Sequence, residues 1–346
     1  MTKKEILKLI LFPTLLTGAI LGLNFGLFAR LNDDLTSYGQ FYKEEEKCLD
    51  VALIGNSTLR EGYIPTAMWH DYAITSRGLS SSPTHPEVIK VAISHVIRYQ
   101  EPSVVFIDIN GLTYQHKSDA EFFIKQYYKA LPKGEFKTEL EEKYDYLSTV
   151  DDDLELFHNH NNFRQQQYWE SLVYPAQFIT KGYYPNKIVF PVNPVSYDDT
   201  TVLPLPSDGQ EYLMDIIEEC KKYPEVKFVL GKMPRCNTNG DDVNATYMLR
   251  SVPSYLEGTN IEFKDFTNDA EAIGLDPKTD FKDFEHLNHL GSIKFTNYFA
   301  SYLLDELHLE RKEKREETKE NFDKAYDDTI DYLTSIENKL KKKTGK

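Results

Sequence analysis

The chain has 346 residues, 40% of them apolar, and a formal net charge of -15. That length supports one large core with appendages, and the acidic balance argues against a nucleic-acid binder, which carries a basic footprint. Cys48, Cys220 and Cys236 make no Cys-x-x-Cys pair and no His-Glu-x-x-His run occurs, so no disulfide framework, metal or cofactor is expected.

Lys3, Lys4 and Lys8 precede an uncharged stretch from Leu9 to Phe28, about the 20 residues a helix needs to cross a bilayer. A cleaved signal peptide would have an apolar region of roughly 7–15 residues ending in a small-x-small site. Ala29-Arg30-Leu31 is a poor site of that kind, so residues 1–30 are expected to be a retained transmembrane anchor. Lysines before the span, with Asp33, Asp34 and Glu44 to Glu46 after it, put the N-terminus in the cytoplasm and the large domain outside. In that oxidising compartment three unpatterned cysteines read as buried thiols. Gly18, Gly22 and Gly26 share one helix face, which would let a second membrane helix approach closely; glycine is also simply common in such helices.

Residues 31–47 read as a polar juxtamembrane connector, helical near Glu44. The main domain, residues 48–307, opens with a strand at Val51–Ile54. Pro65 to Asp71 reads as a short helix, followed by a strand near Tyr72–Thr75 and a turn at Arg77-Gly78. From Pro86 the period changes to that of a helix, with Val88, Ile89, Ala92, Ile93, Val96 and Ile97 on one stripe. Pro102 stops it, and Val104-Val105-Phe106-Ile107 is the continuous apolar run of a strand buried on both faces. Strand, helix and strand then recur at βαβ spacing.

Residues 117–205 break this pattern. They are rich in tyrosine, acidic residues and proline, and contain His158, His160 and Gln165-Gln166-Gln167. They read as a partly helical insertion, either lining the substrate path or forming a surface excursion. Further helices are expected near Gln210–Lys222, from a cap at Asp241-Asp242 toward Leu249, and from Ser292 to Leu307. Strands are expected at Val226–Leu230 and Asn260–Phe263. In the tail, residues 308–346, apolar residues from Phe322 to Leu340 recur at threes and fours, which fits a charged amphipathic helix. The fold class is therefore α/β: a three-layer α/β/α domain on a mostly parallel, flavodoxin-like five-stranded sheet. One transmembrane helix precedes it and a long C-terminal helix follows it.

In such a sheet the segments after each strand gather at the carboxyl edge. Here they are Gly55-Asn56-Ser57, Arg77-Gly78, Asp108-Ile109-Asn110-Gly111, Gly231 to Arg235, and the loop with Asp283 and His286. A serine hydroxyl is a weak nucleophile until an imidazole takes its proton and a carboxylate fixes the imidazole's tautomer. Ser57, His286 and Asp283 are the candidates for those roles, with His289 as the alternative base. The Ser57 and Gly78 N–H groups and the Asn110 side chain are candidate oxyanion donors. Arg60 is a candidate contact for an anionic substrate. Lys232 and Cys236 are given no chemistry.

Leu59 stands where the second glycine of a Gly-x-Ser-x-Gly elbow would be. The chain instead resembles the SGNH (GDSL-like) hydrolase family. Gly55-Asn56-Ser57 matches the family's Gly-Asp-Ser-like block, with asparagine for aspartate. Asp283-Phe284-Glu285-His286 matches its Asp-x-x-His block, and Leu287-Asn288-x-x-Gly291 continues it as in the membrane-anchored branch. The Gly-x-Asn-Asp third block is absent, which leaves Asn110 as the candidate oxyanion asparagine. Within the family the chain resembles the D-alanine transfer and alginate O-acetylation proteins. That resemblance implies a cell-surface polysaccharide or teichoic-acid-like polymer as acceptor and a multi-spanning membrane acyltransferase as partner. The expected activity is an extracytoplasmic serine O-acyltransferase. The alternatives are an esterase that deacylates a surface glycan and a catalytically silent scaffold.

Overall fold

The computed structural model describes residues 2–23, 33–81, 84–114, 120–149, 180–198 and 200–345. Five parallel strands, β1 (Val51–Gly55), β2 (Ser76–Ser80), β3 (Val104–Asp108), β4 (Lys227–Lys232) and β5 (Glu262–Asp265), pair in the order β2-β1-β3-β4-β5. This is the flavodoxin-like order, which reverses direction between β1 and β3 and opens a crevice at their carboxyl ends. The fold is α/β, with an apolar N-terminal helix and a long C-terminal one, as the sequence predicts.

Successive residues of a strand face opposite sides of the sheet. Val51, Leu53, Val104 and Phe106 face a core completed by Phe266, Phe295, Phe299 and Leu303. Phe266 sits at its centre, with ring centroids 5.0 Å from Phe295, 5.7 Å from Phe299 and 5.9 Å from Phe106.

Two compact units divide the chain, one of Met1–Gly39 with Lys125–Pro175 and one of Gln40–Ile124 with Ala176–Lys346. The first contains α1 (Lys3–Leu23), none of whose residues is buried and which is long and apolar enough to cross a membrane. A signal sequence would have the same character. Among the described residues, no atom beyond the adjoining residues and the helix's own backbone lies within 4 Å of where a Cβ on Gly18 or Gly22 would stand; Gly26 and Phe28 lie outside the described residues. α2 (Asp33–Phe41) lies earlier than the helical turn expected near Glu44.

The second unit holds the sheet, with α3 (Ser57–Gly62), α4 (Pro65–Tyr72) and α5 (Pro86–Gln100) between its first three strands. Within the insertion, α6 (Ala120–Ala130) runs from the second unit into the first, and α7 (Glu135–Lys143) and a 3-10 turn at Asp145–Thr149 belong to the first; residues 158, 160 and 165–167 lie outside the described residues. α8 (Ser207–Cys220) packs on α5, α9 (Gly240–Leu249) follows β4, and α10 (His289–Ser301) lies against α3 and α4. The tail forms α11 (Glu316–Thr344), which rests on α4 and α10 through Phe322, Leu333, Ile336 and Leu340. All three cysteines are free and buried, and burial pushes the Cys48 and Cys236 thiols up to about 12.

Several expected boundaries move; α8 begins three residues before Gln210, and β4 runs to Lys232 instead of Leu230. The second strand is Ser76–Ser80, because Ala73 turns left-handed (φ 53) and its N–H closes α4 on Met68 and Trp69. Arg77 and Gly78 are therefore strand residues, paired with Ala52 and Leu53. Arg77 tolerates burial because the Glu44 carboxylate, also held by Lys181, accepts its guanidinium. Edge strand β5 begins two residues later than expected, and only its last residue is buried. α9 is capped by Asn239, whose Oδ1 accepts the Asp241 and Asp242 N–H groups at 2.8 and 3.1 Å. α10 starts at His289 because Asn288 caps it.

Candidate active site

Gly55 closes β1 where no side chain fits: a Cβ there would stand 2.8 Å from the Asp108 Cβ on β3. Asn56 then caps α3, its Oδ1 accepting the Thr58 N–H at 3.0 Å. Ser57 becomes the first residue of that helix, at the crevice between β1 and β3. Its N–H belongs to the first turn, where no intrahelical acceptor exists.

The other half of the site is a narrow loop. Phe281 and Leu287 form an antiparallel bridge, and the Lys282 N–H donates to the His286 carbonyl at 2.9 Å. Within the loop, Asp283 Oδ1 accepts the N–H groups of Glu285 and His286, each at 2.8 Å. It also lies 2.9 Å from His286 Nδ1. His286 Nε2 is 2.8 Å from Ser57 Oγ.

Asp283 can only accept, so Nδ1 carries the imidazole proton and Nε2 is left to accept from the serine hydroxyl. Burial alone would raise the Asp283 carboxyl. The hydrogen bond and charge of His286 and the two backbone N–H groups outweigh it, holding the carboxyl down at about 2. The three side chains thus form an unbroken acid–base–hydroxyl line with the aspartate ionised.

Two ion pairs hold the loop from opposite sides. Lys282, beside Asp283, reaches Glu61 of α3 at 3.0 Å, and the Asn186 amide donates to the same carboxylate. Glu285, beside His286, reaches the buried Arg235 at 3.0 Å, which also contacts Asp242 at 2.9 Å. The Cys236 N–H donates to the Phe284 carbonyl at 2.8 Å. Asn288 accepts from Leu290 and Gly291 at the start of α10 and donates to the Thr279 and Phe281 carbonyls. A Cβ on Gly291 would run into the Asp280 carbonyl. The asparagine and glycine after His286 therefore have a structural explanation: they fix where the loop joins its helix.

No family model matches this chain, and no curated protein matches it. Among solved structures it is similar to a gut microbial diltiazem-metabolizing enzyme, at 11% identity and a TM-score of 0.39. That match covers 73% of this chain and 47% of the other, so the chain spans under half of that structure's length. So distant a likeness carries no function.

The remaining expected site residues fall differently. Gly78 is not in a turn at the carboxyl edge. It pairs with Leu53, two positions before the end of β2, and a Cβ on it would meet a Leu59 methyl at 2.8 Å. It is a close-packing glycine in mid-strand, away from the turn where an oxyanion donor would stand. Asn110 begins a single 3-10 turn after β3 and is buried, its N–H donating to Asp108 Oδ1 at 2.9 Å. Arg60 is buried as well, with its guanidinium 5.4 Å from the Tyr184 ring, so it does not offer an open surface to an anion. His289 lies away from the hydroxyl: its Nδ1 is 2.8 Å from the Tyr183 hydroxyl, and burial lowers it to about 4.

Glu61 and Lys282 carry no sequence signal as site residues, and Arg235 and Glu285 carry only their place in segments at the carboxyl edge. Opposite charges four residues after the serine and one before the aspartate are a hint only once the two segments are known to meet.

Proposed function

We propose that this chain is a membrane-anchored SGNH-type serine O-acyltransferase, acting outside the cytoplasm on a cell-envelope polysaccharide through an acyl-Ser57 intermediate. The observation that carries the proposal is the line from Asp283 through His286 to the Ser57 hydroxyl, at 2.9 and 2.8 Å. Its placement at the β1–β3 crevice, where doubly wound sheets bind ligands, supports it. So do the SGNH-like blocks around both halves of the site.

In the first half-reaction Ser57 Oγ attacks the donor's acyl carbonyl while its proton passes to His286 Nε2. The tetrahedral intermediate collapses, and the leaving group departs with the proton from Nε2. The Ser57 N–H and the Asn110 side chain are the remaining oxyanion donors, each worth about 2.7–4 kcal/mol of barrier in sites of this type. In the second half-reaction a glycan hydroxyl gives its proton to His286 and attacks the acyl-serine, and the tetrahedral intermediate collapses to the glycan ester as His286 Nε2 returns the proton to the departing Ser57 Oγ. α1 supplies the anchor, and a multi-spanning membrane acyltransferase supplies the donor.

The test is incubation of the full chain in detergent with an activated acyl ester and an envelope polysaccharide, followed by mass spectrometry of the polymer. A Ser57-dependent mass gain supports transfer to glycan. Loss of pre-existing acyl groups points to an esterase. No change with either wild type or Ser57→Ala points to a scaffold.

A further inference from the structure

A hydroxyl carries one proton, yet Thr58 Oγ1 lies between two oxygens, Asn56 Oδ1 at 2.6 Å and Asp108 Oδ2 at 2.8 Å. Asn56 cannot be turned to present its nitrogen instead, because the same Oδ1 accepts the Thr58 N–H at 3.0 Å. If both oxygens only accept, one hydrogen-bond-length contact has no proton of its own. An amide oxygen does not take up a proton near neutral pH; a carboxylate does.

We infer that Asp108 is a neutral carboxylic acid, whose Oδ2–H donates to Thr58 Oγ1, which in turn donates to Asn56 Oδ1. Its other oxygen accepts the Asn110 N–H at 2.9 Å, as a neutral carboxyl can.

The surrounding charges agree. The cations facing Asp108 are Lys232 of β4 and Arg235 just after it. Lys232 lies 3.8 Å from Asp265 of β5, while Arg235 contacts Asp242 of α9 and Glu285 of the catalytic loop. Those two cations thus already face three carboxylates. An ionised Asp108 would add a fourth, at a residue only 1% exposed, and an uncompensated buried charge is costly. From β1 and α3 its neighbours are Gly55 and Thr58, neither of which ionises in this range. Burial also drives the Asp108 carboxyl above the ordinary carboxylate range, against the pull of the Asn110 N–H, the Thr58 contact and the two cations.

The relay joins the ends of β1 and β3, the two strands that flank the crevice. It fixes the residues on both sides of Ser57 and, through Oδ1, the start of the Asn110 turn. Asp108 is thus a positioning residue, and that role rests on the reaction proposed above; the location of the proton does not.

The test is infrared spectroscopy of the full chain at pH 7, with the rate at which a fluorophosphonate labels Ser57 as a second readout. Wild type should show a carboxylic-acid carbonyl band that Asp108→Asn deletes. The asparagine amide can donate to Thr58 and accept from Asn110, so D108N should label within about threefold of wild type. Asp108→Leu, which breaks the relay, should label roughly 10²-fold more slowly, the loss expected from a misplacement of about 1 Å. Absence of the band in wild type overturns the inference whether or not D108N folds. So does a D108N protein that folds but labels as slowly as D108L. Failure of wild type to label at all would sink the proposed reaction, while the infrared band would still decide the proton.

Discussion

Replacing Lys282 with methionine removes the cation that ties the catalytic loop to the nucleophile's helix. Its Nζ lies 3.0 and 3.3 Å from the two Glu61 oxygens, and Glu61 is only 4% exposed. Two unit charges 3.0 Å apart attract by about 5.5 kcal/mol at an effective dielectric constant of 20. Desolvation cancels much of that, and the lysine side chain is 26% exposed, so water screens the rest. Losing one partner of a fully buried pair costs about 3–5 kcal/mol, and an exposed pair is worth about 0–1 kcal/mol. This half-covered pair should fall between them, near 2 kcal/mol of stability. The kinetic effect should be of comparable size in free energy, because the pair spans the two elements whose spacing sets the Ser57–His286 contact. A shift of about 1 Å costs on the order of 10²-fold. We therefore expect K282M to lower kcat toward an activated ester by roughly 10- to 100-fold with KM within about twofold. The assay is a double-mutant cycle with Glu61→Gln, read both as kcat and as denaturation midpoint. Each single variant should show most of the loss and the double variant little more, a coupling of about 1–2 kcal/mol. Additive effects, or an unchanged kcat in K282M, would show that the Lys282–Glu61 pair does not set the Ser57–His286 spacing.

Asn288→Ala removes a helix cap and two anchoring donors together. It should destabilise the protein by about 2–4 kcal/mol in a denaturant melt, beyond the roughly 1 kcal/mol of a cap alone. Gly291→Ala should cost about 1–3 kcal/mol by forcing α10 off the Asp280 carbonyl, and the same melt would show it. His289 gives a pH-dependent prediction. Its folded value of about 4 lies below its ordinary 6.5, so the native state favours the neutral ring. The stability this contributes is full above pH 6.5 and is lost as pH falls toward 4, a loss of about 3 kcal/mol. Denaturation midpoints of His289→Gln should show a shallower decline across that window than wild type. Its fluorophosphonate labelling at pH 7 should be close to wild type.

The central strands are legible in the sequence because β1 and β3 are short, β-branched apolar runs, closed by Gly55 in one case and preceded by Pro102 in the other, too short for a buried helix. β2 is not, because Ser76-Arg77-Gly78 looks like a turn. What makes it a strand is a carboxylate at Glu44, the ammonium of Lys181 that shares it, and the Leu59 side chain that fills the space above Gly78. Those partners lie far away along the chain, and no local pattern announces them. The same limit applies at the site. Asp283 and His286 lie three apart, so their contact is a property of one short loop. The Lys282–Glu61 and Glu285–Arg235 pairs depend on how separate segments meet. Asn110 falls at the correct strand end, since the apolar run before it fixes where β3 stops. Gly78 failed because its strand was placed four residues too early.

Everything proposed for this site depends on the Ser57 hydroxyl being a nucleophile activated by His286. The most direct measurement is fluorophosphonate labelling of the full chain in detergent, with the modified peptide identified by mass spectrometry. One adduct is expected, on Ser57, absent from Ser57→Ala and formed at least about 10³-fold more slowly in His286→Ala. An adduct on another residue, or none on the folded wild-type protein, would contradict it.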